Sequence, residues 1–215
     1  MSFDLHIHSS YSDGCAGIES IVRRAKEKGL KIIAIADHSI EHRFGMTESK
    51  ARKRQEEIER FSSRYDIEVL SAVECGILAD GEITLPDFRF DMILASIHDQ
   101  LPAEEYYRRI KLCLRKNSID VLAHIHSTLF GSINGSMIEE DEEIIDLLQE
   151  ADVALEINTT HSAPPDNFLT LCSNRRIKYS VGSDTHILGR IGDVEEAFKR
   201  ARKFLPRGRF ILDER

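Results

Sequence analysis

The chain has 215 residues, 41% of them hydrophobic, enough to enclose a substantial core and unlike the composition of a disordered or fibrous chain. Its 37 acidic side chains outnumber 29 basic ones for a formal net charge of -8, which argues against stable binding to nucleic-acid backbones or anionic lipid. No apolar run approaches the ~20 residues of a membrane span, and the N-terminal MSFDLHIH lacks the basic and apolar blocks of a signal peptide, so a cytoplasmic protein without membrane contact is expected.

Short runs rich in Val and Ile alternate with amphipathic stretches along the chain. FDLHIH (3–8) reads as a strand and is followed by a helical pattern over 18–29 that closes on Gly29. KIIAIAD (31–37) is the second strand, and the charged stretch 47–64, with Thr47 as N-cap, the second helix. IEVLSAVE (67–74) precedes a segment, 78–86, whose Asp80-Gly81 pair predicts a hairpin or rim element. Then come DMILASIH (91–98), a helix over 103–117, IDVLAH (119–124), a helix over 139–151, VALEIN (153–158), IKYSVGSD (177–184) and a last helix over 193–204 ahead of Pro206. Strand and helix in alternation imply parallel strands joined by right-handed crossovers, in an open sheet or a closed barrel. The cysteines Cys15, Cys75, Cys113 and Cys172 form no CxxC pair and are read as reduced thiols.

Polar residues decide between sheet and barrel. His6 and His8, His38, Glu74, His98, His124, then Asp184 and His186 fall at or just beyond the C-terminal ends of the strand candidates. In a barrel those ends converge on one pocket, whereas an open sheet would spread them out, so an α/β barrel of seven strands, one domain over 1–215, is expected. The spacing of His6 and His8 directs both imidazoles to one strand face. Imidazole and carboxylate without thiolate suit zinc, manganese or iron. With Asp13 in the turn SYSDG the set could hold two ions, or three if the two oxygens of Glu74 serve different ions.

The strings DLHIHSSYSDG, ADHS (36–39), VECGILADGEI (73–83), ASIH (95–98), LAH (122–124), LEIN (155–158) and VGSDTH (181–186) resemble, in order, the PHP superfamily, named for polymerase and histidinol phosphatase. The chain is similar to its small phosphatase-like branch and to the PHP domains of bacterial family X polymerases. The resemblance implies a distorted seven-stranded (β/α)7 TIM-like barrel and metal-dependent phosphoester hydrolysis at a trinuclear site. One divalent ion (Zn, Mn or Fe) would sit on His6, His8, Glu74 and Asp184, a second on Glu74, His98 and His124, and a third on Asp13, His38 and His186. A metal-bridging hydroxide would attack phosphorus, with Glu74, Asp184 and His186 the catalytic residues. The substrate would be a small phosphomonoester, such as histidinol phosphate or a nucleotide or sugar phosphate, with inorganic phosphate as product.

Arg43, Arg190 and His161 are candidate substrate contacts from loops after ligand-bearing strands. His42 and His126 are expected to face solvent or cap a loop. Asp37 is read as ending its strand, with orientation of His38 as the alternative, and Glu156 and Asn158 as partners of the ligands or a polar barrel floor. HIHST lacks the proline and basic residue that often follow the histidine in relatives, so histidinol phosphate does not follow from the resemblance. The rival readings are an amidohydrolase, a 3'-5' exonuclease or phosphodiesterase, and a non-enzymatic scaffold. The DH after the second strand and the His two residues after the last Asp count against the first, the charge of -8 against the exonuclease, and the retained ligand set against the scaffold.

Overall fold

The protein is described from a computed structural model covering residues 2–127, 129, 131, 132 and 137–213. In chain order the elements are β1 (Phe3–Ile7), α1 (Ile18–Glu27), β2 (Ile32–His38), α2 (Glu48–Tyr65), β3 (Glu68–Gly76), β4 (Met92–Ser96), β5 (Gln100–Leu101), α3 (Ala103–Lys116), β6 (Val121–Leu122), β7 (Gly131–Ser132), α4 (Ile138–Glu150), β8 (Ala154–Asn158), α5 (Asp166–Cys172), β9 (Lys178–Gly182), a 3-10 turn (Leu188–Arg190), α6 (Glu195–Phe204) and β10 (Arg209–Phe210).

The helices carry apolar stripes, and among the described residues α2 alone of the six begins on a side-chain cap. In α1 the buried residues are Ile18, Ile21, Val22 and Ala25, one helical face, and the chain leaves through Gly29 at φ 73°, a conformation that glycine adopts without strain. Thr47 caps α2 by accepting a hydrogen bond from the Lys50 amide at 3.3 Å.

Among the described residues the main sheet has eight strands in the order β1-β2-β3-β4-β6-β8-β9-β10, and every neighbouring pair is parallel. The expected count of seven is therefore corrected to eight: all seven sequence-derived strands are present, and the extra one, β10, adds two residues beside β9 at Lys178 and Tyr179. At the other end of β9 the His8 amide donates to Thr185 O at 3.0 Å and the Asp184 amide to His6 O at 2.8 Å. The sheet thus curls until its first strand meets the segment after β9. A separate pair, β5 with β7, was not foreseen, nor were α5 and the 3-10 turn.

Side chains of β2 show how the layers divide. Ile33 and Ile35 pack with Ile18, Ile21 and Val22 of α1 and Ile58 and Phe61 of α2, whereas Ala34 and Ala36 join the larger core with Leu70, Ala72 and Leu94. By that alternation Asp37 belongs to the helix-facing side and His38 to the other. The Asp80-Gly81 pair does form a turn, Leu78 N donating to Glu82 O at 2.9 Å, but without paired strands. It packs on α3, where Lys116 donates to Asp80 O at 2.9 Å. Among the described residues no helix is long and apolar enough to cross a membrane.

Candidate metal centre

Strand ends bring the expected residues together. From β1, Nε2 of His6 faces Nε2 of the following His8 at 3.1 Å, and both face the same oxygen of Glu74, the seventh residue of β3, at 3.5 Å each. Asp184, just after β9, presents Oδ1 at 3.6 Å from His6 and 3.1 Å from His8. These four side chains are at most 3% exposed. Two imidazole nitrogens and two carboxylate oxygens aimed at one another form a donor set that suits a cation.

Glu74 lies at the junction of several such sets. Its Oε2 also meets Nδ1 of His38 at 3.0 Å, while its Oε1 meets Nε2 of His124 at 2.8 Å and of His98 at 3.3 Å. Asp13, at the tip of the turn after β1, places Oδ2 at 3.5 Å from His38 and 3.3 Å from His186, with Oδ1 at 3.5 Å from Nδ1 of His8. Among the described residues four groups have donor atoms within 4.8 Å of one another: His6, His8 and Glu74; His38, Glu74 and His98; His8, Asp13, His38 and His186; and His124, His161 and Asp184. All nine expected ligands are in these groups, and His161, expected to touch substrate, joins them. The residues present fit divalent cations on a second ground too: among the described residues the buried Nδ1 of His8 has no hydrogen-bond partner.

The supporting shell is polar and close-packed. Glu156 of β8 accepts from Nδ1 of His6 at 2.7 Å when the proton is on that nitrogen, and from the His124 amide at 2.9 Å, which fixes one ring and one backbone. Asn158 donates to Asp184 Oδ2 at 3.1 Å, and Nε2 of His161 lies 3.0 Å from the same oxygen. A Cβ on Gly182 would sit 2.4 Å from the Cβ of His6 and 2.5 Å from Glu156 Oε1, so only glycine lets β9 pass this close to the site. His124 and Asp184 themselves have positive φ, 30° and 51°, a strain that the surrounding contacts hold.

Electrostatics follow from this crowding. Burial opposes the charge on Glu74, yet His98, His38 and His6 outweigh it and hold the carboxyl well below its usual range. Asp184 is held down in the same way, against burial, by His6 and by the hydrogen bond from His161. Burial likewise opposes a charged His38, but Glu74 and Asp13 push its imidazole up to about 10. His6 and His8 part company: against burial, Asp184, Glu156 and Glu74 raise His6 well above the ordinary range, whereas burial lowers His8. Two rings facing at 3.1 Å do not both carry a proton there.

Of the other candidates among the described residues, Arg43 has its guanidinium 5.2 Å from the Phe44 ring, and Arg190 lies 3.9 Å from Asp193 at a side-chain exposure of 43%. His42 does not simply face solvent, since its ring packs on that of His38 with centroids 4.2 Å apart. The His126 side chain is 6% exposed, its Nε2 2.7 Å from Asp141 Oδ1. The sequence offered no signal for either beyond proximity to a ligand. Arg54, buried on α2 against Asp37, was missed altogether, because an arginine among charged neighbours reads as a surface residue.

A parallel α/β fold with histidines and carboxylates gathered at its strand ends defines the class, a protein built to hold metal ions. Residues 4–160 match the family described as PHP domain, and the chain belongs to that family. It is 27% identical to the DNA polymerase/3'-5' exonuclease PolX of Bacillus subtilis across 99% of this chain but only 39% of that longer protein. It is also 27% identical to a protein of Aliivibrio fischeri named a probable phosphatase, across 94% of this chain and 84% of that one. The crystal structure of histidinol phosphate phosphatase from Lactococcus lactis, complexed with zinc, L-histidinol and phosphate, shares the fold at a TM-score of 0.71 and 18% identity, covering 97% of this chain and 95% of that one. Family membership and site together make the protein a metal-dependent phosphatase of the hydrolase class.

Proposed function

We propose that residues 1–215 act as one PHP-type domain that hydrolyses a small phosphomonoester with three divalent ions, on a TIM-like barrel. The observation that carries this reading is Glu74, one oxygen facing His98 and His124 and the other His6, His8 and His38. His6, His8, Glu74 and Asp184 would hold one ion, Glu74, His98 and His124 a second, and Asp13, His38 and His186 a third. Zinc, manganese or iron held by these residues would supply Lewis acidity to a water and to phosphoryl oxygens. The chain's part is to keep the imidazoles in the ligating tautomer, as Glu156 does for His6, and to neutralise part of the ionic charge with carboxylates. Arg43 and Arg190, on loops after β2 and β9, would reach the phosphate from the rim, and His161 from the floor.

A cluster rich in positive ions suits a phosphate dianion, and the Lactococcus lactis complex with phosphate supports that class of ligand. Likeness to the Bacillus subtilis exonuclease favours a second reading, a phosphodiester substrate. The test is hydrolysis of an aryl phosphomonoester and a diester by metal-stripped protein with zinc, manganese or iron added back, beside elemental analysis. Metal-dependent monoester release with two to three ions per chain is expected. Preference for the diester would move the reading to the exonuclease, and absence of both metal and hydrolysis would overturn it.

A further inference from the structure

Beneath the cluster, on the helix-facing side of the sheet, lies an ion pair whose hydrogen bonds, among the described residues, go to other groups than the named ligands. Asp37 and Arg54 are both 0% exposed, with Oδ2 and Nη1 2.8 Å apart. Arg54 stands on the stripe of α2 otherwise formed by Ala51, Ile58 and Phe61, and its guanidinium also donates to Ile35 O at 3.2 Å, Ala72 O at 2.6 Å and Ser71 Oγ at 3.0 Å. Asp37 accepts three more hydrogen bonds, all from the turn after β1: the Ser9 amide at 2.8 Å and Ser12 Oγ at 2.7 Å on Oδ1, and Ser9 Oγ at 2.7 Å on Oδ2. That turn closes on itself through Ser12 N and Gly14 N, which both donate to Ser9 O, and a Cβ on Gly14 would collide with His8 O at 2.4 Å. Its tip is Asp13. The residue after Asp37 is His38.

For stability alone a well-packed apolar pair at positions 37 and 54 would serve, since a buried ion pair gains little over such groups. What an apolar residue could not do is fix the direction of a carboxylate that in turn fixes a turn. We propose that the Arg54–Asp37 pair is a positioning device for the outermost cation position: it sets Asp13 through Ser9 and Ser12, and His38 through the adjoining backbone, so that both meet His186. This rests on reading Asp13, His38 and His186 as ligands of one ion.

The experiment measures zinc bound per chain against free zinc, by equilibrium dialysis and elemental analysis, for wild type, Asp37→Asn, Arg54→Met, Arg54→Lys, Ser12→Ala and Asp13→Ala. Asp37→Asn and Arg54→Met should weaken one bound ion by roughly 10–100-fold and leave the others at wild-type affinity. Asp13→Ala should lose that same ion, and Arg54→Lys, which keeps the charge but not the fork, should recover part of the affinity. Ser12→Ala removes one half-buried hydroxyl and should weaken the same ion less; it decides the matter if Arg54→Met fails to fold. Wild-type affinity for every ion in folded variants, or loss of all ions together with a lowered melting temperature, would overturn the positioning role. If instead Asp13→Ala keeps every ion, the ligand reading itself is what fails, and the device falls with it.

Discussion

Glu74 and Glu156 illustrate how one residue type takes two tasks in one pocket. Glu74 faces five imidazoles with its two oxygens. Glu74→Gln leaves a neutral amide whose NH2 faces those nitrogens, and should lower turnover by more than roughly 100-fold and impair two ions together. Wild-type rates with full metal content would refute the bridging role. Glu156 touches a ring nitrogen of His6 and the His124 amide instead. Its replacement by Gln should cost a milder 10–100-fold, roughly, in metal affinity, seen as a shifted zinc-activation midpoint. Most of this pocket was legible in the residues: the period-two HxH and the polar residue at each strand end are patterns along the chain. Glu156 and Asn158 showed through alternation about Ile157. His126 and Arg54 did not, because burial against Asp141 and Asp37 is decided by residues 15 and 17 positions away.

Elements were legible in proportion to their length. The periodic stripe of α1 and the Thr47 cap of α2 both lie where the sequence puts them. Thr47→Ala should lower stability by about 1 kcal/mol in urea unfolding while leaving metal content unchanged, since the cap lies at the helix start and not in the ligand cluster. A change in metal content would mean that α2 transmits its fraying to Arg54. Two-residue strands such as β5, β7 and β10 carry no periodicity to read, and α5 spans only 7 residues, two turns with buried Phe168, Leu169 and Cys172. The count of strands was therefore set by tertiary pairing, with β10 fixed through Arg209 and Phe210 against β9.

For the whole molecule the ligand cluster is also a store of pH dependence. His38, pushed from 6.5 up to about 10, holds its proton more tightly folded than unfolded. Its contribution is complete below about pH 6.5 and is lost as pH rises toward about 10, and His6 acts in the same direction. Glu74 and Asp184, held low, contribute above the ordinary carboxylate range and lose this only in stronger acid. Metal-free protein should therefore melt at falling temperature from pH 6.5 upward. Zinc needs neutral imidazoles, so its stabilising effect, about 2.7 kcal/mol per site at 100 times Kd, should grow over the same range. Melting curves with and without zinc between pH 6.5 and 9 check both slopes, and parallel slopes would contradict the assignment.

Burial across the cluster is graded. His6, His8, Glu74 and Asp184 are at most 3% exposed, whereas Asp13 and His186 at the rim are 28% and 37% exposed. A gradient of this kind imposes a sequence in time: ions would enter and leave like coins in a narrow tube, the rim occupant exchanging first and the deepest one last. Chelator added to loaded protein should then draw out metal in separate kinetic phases, and a cell short of metal would hold a partly filled enzyme whose deepest ion stays in place while the outermost one registers the supply.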